Sequence, residues 1–197
     1  MDGHFYALLA RMRYIQRWAL MRNTEPENIQ EHSHMVAILA HALALLQNKH
    51  FGGHIDPGQA VLLALYHDAT EILTGDLPTP IKYYNPALRA SYKEVEETAA
   101  NRLLLLPEEL RGDYAPYLLH PDPELEAVVK AADKLDAYLK CVKERKAGNG
   151  EFQTAQVQIW DALQANPLPA LGYFIQHYLP SFELTLDQLN GSTHTMF

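Results

Sequence analysis

Helix starts of one recurring design constrain this chain more than any other feature. Asp56-Pro57-Gly58-Gln59, Asn85-Pro86 and Asp122-Pro123 each place a side-chain acceptor directly before a proline. The acceptor caps N–H groups that have no partner in a first helical turn, where proline's missing N–H costs nothing. Thr185-Leu186-Asp187-Gln188 reads as a capping box, and Asn28 with Glu31 as a weaker one. Gly75, Gly148 and Pro107 read as stops. Between these marks apolar residues return every three or four positions, as in Met35, Ile38, Leu39, Ala42, Leu45 and Leu46, and again in Val128, Ala132, Leu135 and Leu139. No segment alternates apolar and polar residues between hairpin turns. The spacing predicts helices over 3–20, 29–48, 57–73, 86–105, 108–118, 123–147, 151–165 and 169–179, with a short turn or helix at 185–190. No repeat, Gly/Ser linker or shift in composition divides the 197 residues. The expected fold is all-α, a single domain over 1–197.

Composition narrows the partners. Sixteen Lys and Arg against 24 Asp and Glu leave a net charge of −8, which argues against binding a nucleic acid polymer through its phosphates. No uninterrupted apolar run approaches the ~20 residues of a membrane span. The first basic residues, Arg11 and Arg13, follow a short apolar stretch, the reverse of a secretory signal. Cys141 is the sole cysteine, so a disulfide framework or Cys-rich zinc module is excluded. A soluble cytoplasmic protein is expected.

His67-Asp68 lies near the end of the apolar segment VLLALYHDATEIL. Burying an imidazole and a carboxylate without partners costs several kcal/mol, so the pair calls for a reason. On a continuous helix 57–73, Glu71 shares the face of His67 one turn on. His32 opens an upstream helix and Asp133 sits among alanines downstream, giving the order His, His-Asp, Asp on three helices. Two imidazoles and two carboxylates suit one divalent ion of the Mn, Fe, Co, Ni or Zn kind better than Ca or Mg. Thr74-Gly75-Asp76-Leu77-Pro78-Thr79-Pro80 cannot continue a helix and is expected as a loop beside this set.

The pattern His32, His67-Asp68, Asp133 resembles the HD-domain metal-dependent phosphohydrolases, and the flanking words narrow the resemblance. Arg17-Trp18, Glu27-Asn28, Glu31-His32-Ser33, Tyr66-His67-Asp68-Ala69 with Glu71, the loop 74–80, Ala137-Tyr138-Leu139-Lys140-Cys141 and Pro180-Ser181-Phe182 are similar to the bacterial 5'-deoxynucleotidase family, over about residues 5–190. The resemblance implies a helical bundle with the metal site between helices. It implies removal of phosphate from deoxyribonucleoside 5'-monophosphates with one divalent metal, in a homodimer. It implies His32, His67, Asp68 and Asp133 as metal ligands, and Arg17, Trp18, His32, Asp68, Asp76 and Asp133 on the substrate, with Leu77, Pro78 and Thr79 lining the sugar and base side. Glu71, Asp76 and Arg17 then carry catalysis.

Each role has a plainer competitor. Arg17 is otherwise a surface arginine beside Arg11, Arg13 and Arg22, Trp18 a core tryptophan, and Asp76 a turn aspartate after glycine. In the functional reading Arg17 forks onto phosphate, Trp18 walls off a 2'-hydroxyl, and Glu71 is a general acid or base. The same residues also fit a hydrolase of another nucleotide class, or a nucleotide-sensing module without turnover.

Overall fold

In the computed structural model of the chain, residues 3–82 and 84–191 are described, except the side chain of Thr79. The chain opens with α1 (Phe5–Leu9) and a 3-10 turn at Met12–Tyr14. It continues through α2 (Ile29–Phe51), α3 (Pro57–Tyr66), α4 (Glu71–Thr74), α5 (Thr79–Lys82), α6 (Pro86–Leu103), α7 (Glu108–Leu118) and α8 (Pro123–Lys146). A 3-10 turn at Gly150–Phe152, α9 (Gln153–Gln164), α10 (Pro169–His177), a 3-10 turn at Leu179–Glu183 and α11 (Leu186–Leu189) complete it. Among the described residues there is no strand, and an isolated antiparallel bridge joins Gln16 to Asn28. No described helix is long and apolar enough to cross a membrane.

The caps work as their residues dictate. Asp56 accepts from the N–H of Gly58 and Gln59, and Asp122 from Glu124 and Leu125. Asn85 accepts from Leu88, and both capping boxes, at Asn28 and Thr185, are formed. Gly52 ends α2 and Gly75 ends α4 at positive φ, where a side chain would be strained. Pro107, expected as a stop, instead stands at the N-cap of α7.

The core lies where α2, α3 and α8 meet, closed by α9 and α10. Val36, Ala40 and Leu43 of α2 pack with Ala60 and Ala64 of α3 and Val128, Ala132 and Leu135 of α8. Alanines at these crossings let the three backbones approach closely, while each buried leucine or valine contributes about 1.5–3 kcal/mol. That close approach is what brings polar groups on three elements to one place.

Two predicted helices break. Residues 3–20 leave the α-helix after Leu9, and past the 3-10 turn at Met12–Tyr14 the chain turns to pair with the start of α2: Arg17 N–H donates to Glu27 O at 2.8 Å and Ile29 N–H to Ile15 O at 3.0 Å. Those groups are then unavailable to an i→i−4 ladder. Trp18 takes φ of +57°, a left-handed conformation that a bulky residue adopts only when its surroundings impose it. Residues 57–73 also divide, with α3 ending at Tyr66. Ala69 N–H then reaches back to Tyr66 O and Glu71 N–H to Asp68 O, three-residue turns in place of α-helical bonds. Glu71 therefore does not share a helical face with His67; it opens α4.

One carboxylate pins the 17–27 loop to α8. Glu144 accepts from Thr24 N–H (2.9 Å), Thr24 Oγ1–H (2.7 Å), Lys140 Nζ (2.5 Å) and Asn149 Nδ2 (2.9 Å). Lys140 Nζ also donates to Glu25 O, and Asn149 Nδ2 to Arg22 O at 2.7 Å. Glu144 is 1% exposed. Burial alone raises its pKa, but the donors from Lys140, Thr24 and Asn149 outweigh that and hold it below the usual carboxylate range. A folded value below the unfolded one means the stabilisation is full above the pKa of an unfolded glutamate, about 4.3, and is lost as pH falls below it. Glu144→Gln leaves Lys140 uncompensated and is expected to lower the unfolding free energy by about 3 kcal/mol near neutral pH, read from urea melts. The gap between parent and variant should narrow steadily once pH drops below about 4; a gap equally wide at about pH 3 and pH 7 would contradict the assignment.

Candidate metal centre

The Asn28 cap sets the phase of α2. Its Oδ1 accepts from Gln30 N–H at 3.1 Å and Glu31 N–H at 3.0 Å, so His32, one turn in, faces the core and is 1% exposed. His32 Nδ1 lies 2.6 Å from Asp136 Oδ2 on α8. His67 caps the end of α3, and its Nδ1 donates to Ala64 O at 2.7 Å. Carbonyl and carboxylate oxygens accept, so both rings carry a proton on Nδ1 and turn Nε2 the other way. Both Nε2 atoms are buried and make no hydrogen bond.

Carboxylates surround those two nitrogens. His32 Nε2 is 3.1 Å from Asp133 Oδ1 and 3.5 Å from Asp68 Oδ2, while His67 Nε2 is 3.3 Å from Asp68 Oδ1. One donor atom from each of His32, His67 and Asp68 falls within 4.8 Å of the others. Asp133 joins the set through its approach to His32, its side chain 40% exposed at the mouth. Donors about 2.1 Å from a shared ion stand about 3.0–3.4 Å apart, the spacing of these neighbours. The unbonded Nε2 atoms of His32 and His67 together with Asp68 could hold a divalent cation; Asp133 stands beside His32 but outside that trio. His34, pointing away from this centre, is exposed.

Burial and the neighbouring charges act on these groups in opposite directions. Burial pulls the His32 pKa down, but Asp133 and Asp136 outweigh it and push it up to about 9. Burial also opposes the Asp133 carboxylate, yet His32, His67 and Arg17 hold its pKa below the usual range. Glu71 is pushed up to about 9, first by burial and then by Asp68 and Asp76, and its Oε2 is buried without a partner. Asp76 is raised by burial too, with Arg17 and the Trp18 backbone N–H pulling against it.

Arg17 stands over the carboxylates. Its Nε donates to Glu27 Oε1 at 2.9 Å and its Nη1 to Asp68 Oδ2 at 3.4 Å. Burial disfavours its charge, but Asp68, Asp133 and Glu27 more than compensate and hold its pKa above the ordinary value. Trp18 leans on Phe152 with ring centroids 5.3 Å apart, half-buried, and its Nε1–H is buried without an acceptor. Arg17 and Trp18 therefore stand on irregular chain and not on the helix expected over 3–20. Leu77 and Pro78 are half-buried in the loop after Gly75, and the expectation for the Thr79 side chain lies outside the described residues. A cleft of about 530 Å³ opens beside the centre, lined by His67, Thr70 and Asp133 and by Lys82, Lys93 and Lys134 at its rim.

Two carboxylates at this site escaped the reading of the sequence as participants. Asp136, one turn beyond Asp133 on the same face of α8, was signalled by that spacing. Glu27 appeared only as a flanking residue. Glu27, His32 and Asp136 form a second trio with donor atoms within 4.8 Å. Their contacts are already made, however, Glu27 with Arg17 and Asp136 with His32 Nδ1.

The fold is that of the HD-domain phosphohydrolases. The chain superposes on one from Listeria innocua with a TM-score of 0.79 at 22% identity, covering 91% of this chain and 88% of that one. The HD phosphohydrolase DatZ of cyanophage S-2L, solved bound to dA and one catalytic Zn2+ ion, matches with a TM-score of 0.61 at 22% identity, covering 91% and 96%. Sequence narrows the class. A family model described as 5'-deoxynucleotidase YfbR-like matches residues 4–182, and the chain belongs to that family. It is 52% identical over 192 residues to a 5'-deoxynucleotidase of Vibrio parahaemolyticus, covering 96% of this chain and 99% of the relative. A 5'-deoxynucleotidase of Shewanella oneidensis is 50% identical over 191 residues, covering 95% and 98%.

Filling the orphaned nitrogens should stabilise the fold. Co2+ or Zn2+ at about a hundred times its Kd is expected to add about 2.7 kcal/mol to the unfolding free energy, reversed by chelator. His67→Ala should abolish the response in a thermal melt. A parent chain whose melting temperature ignores both ions would refute a metal centre here.

Proposed function

We propose that this 5'-deoxynucleotidase, a metal-dependent phosphomonoesterase, hydrolyses deoxyribonucleoside 5'-monophosphates where His32, His67, Asp68 and Asp133 hold one divalent ion. The observation that carries the reading is the pair of buried Nε2 atoms that make no hydrogen bond and face Asp68 and Asp133. Two nitrogens and two carboxylates favour an ion of the Co, Mn, Ni, Fe or Zn kind. A bound divalent ion supplies Lewis acidity to the phosphoryl group and lowers the pKa of a water.

The chain's own residues do the rest. Arg17, steadied by Glu27 at Nε, directs its remaining N–H groups to the phosphate oxygens, a forked contact that lysine cannot copy. Glu71 holds or moves a proton at its unpartnered Oε2, serving the attacking water or the departing 5'-oxygen. Asp76 orients Arg17 and meets the sugar, beside Trp18. The Trp18 indole walls off the 2' position, leaving a ribose hydroxyl without space or a partner. Leu77, Pro78 and Thr79 line the base side, and the half-buried loop keeps bulk water away. The enzyme works as a homodimer in the cytoplasm, a reading supported by the family resemblance and by its lone, reduced Cys141.

A phosphate-release assay across dAMP, AMP, dATP and thymidine 5'-phosphate tests this, with the deoxynucleoside monophosphates expected to dominate. Full turnover in chelator-treated protein would overturn it. Glu71→Ala should keep its metal and lose about 10²–10⁴ in kcat. For Trp18→Ala the ratio of dAMP to AMP turnover should fall, and an unchanged ratio removes Trp18 from sugar selection.

A further inference from the structure

We infer that Asp136 is a positioning residue for the metal centre: by accepting the His32 Nδ1–H it locks the imidazole with Nε2 turned to Asp68 and Asp133. The inference rests on the metal reading above. Asp136 is 5% exposed, and its side chain accepts at 2.6 Å from a ring that is itself 1% exposed. Burying a carboxylate is costly unless it is paired, so helix packing alone is better served by an apolar residue. Asp136 lies three residues after Asp133 on α8, so one helix face approaches both nitrogens of the same imidazole: Asp133 near Nε2 and Asp136 at Nδ1.

The two histidines are supported unequally. His67 leans on a neutral backbone carbonyl, Ala64 O, whereas His32 leans on a carboxylate. A carboxylate at Nδ1 raises the electron density that Nε2 offers to a cation, and such supports typically change metal affinity 10–100-fold. Glu27 also comes within 4.8 Å of this pair, but its Oε1 accepts from Arg17 Nε, whereas the His32 Nδ1–H is accepted by Asp136.

The test is Co2+ binding to the full chain by chelator competition, for the parent and Asp136→Asn. Weakening by about 10–100-fold, with substrate KM unchanged at saturating Co2+, is expected. Affinity within two-fold of the parent would overturn the inference while leaving the metal site standing. A parent that binds no Co2+ overturns both. An independent readout uses the parent alone, so that misfolding of the variant cannot obscure the result. The Co2+-loaded parent should show a paramagnetically shifted His32 Nδ1–H proton protected from solvent exchange; absence of that protected proton also overturns the inference.

Discussion

A single imidazole, buried where α2 meets α8, has a carboxylate beside each of its nitrogens, and the centre depends on that arrangement. His32 cannot leave the core without breaking the 2.6 Å contact to Asp136, and α8 cannot slide without carrying Asp133 away from Nε2. A buried donor stripped of its acceptor costs about 1–3 kcal/mol, so the pairing resists displacement of either helix. The alanine-rich crossing of α2, α3 and α8 supplies the close approach, and the polar pair occupies the end of that crossing where apolar packing stops. Helix packing and ligand placement are therefore one constraint.

Asp68 follows directly on the end of α3, where His67 keeps α-helical dihedrals (φ −58°, ψ −35°), so the two side chains are neighbours at the helix edge. Asp68 there lies between both imidazoles and Arg17, and the chain passes on to α4 by three-residue turns. The same break gives Glu71 its own short helix, with an oxygen left unpaired.

The strand-like return at residues 15–29 carries Arg17 and Trp18. Its anchorage lies further along α8 than Asp133: Glu144 and Lys140 hold Thr24 and Glu25, and Asn149 holds Arg22. That network ties down the segment that carries Arg17 and the strained Trp18 backbone. Solved HD-domain neighbours at 22% identity share the architecture, whereas the relatives at about half identity share the 5'-deoxynucleotidase name along almost their whole length. A common bundle leaves room for many substrates, so the fold alone does not set which one is taken.

The residues themselves determined a good deal. Cap chemistry at Asn28, Asp56, Asn85, Asp122 and Thr185 is local, so five helix starts were readable from their own first turns. His32, His67, Asp68 and Asp133 stood out because an imidazole or carboxylate in an apolar helix needs a partner, whichever partner that is. What only the tertiary structure decided depended on groups far apart in the chain. The helix expected over 3–20 gave way to pairing between Gln16 and Asn28, the helix over 57–73 broke to serve contacts with α2 and α8, and Asp136 and Glu144 gained their meaning from His32 and Thr24, each more than a hundred residues away. Local pattern reports what a backbone segment prefers and which side chains need a partner; which partner answers, and where a helix must yield to reach it, is settled when burial brings distant groups together and leaves no water to satisfy them.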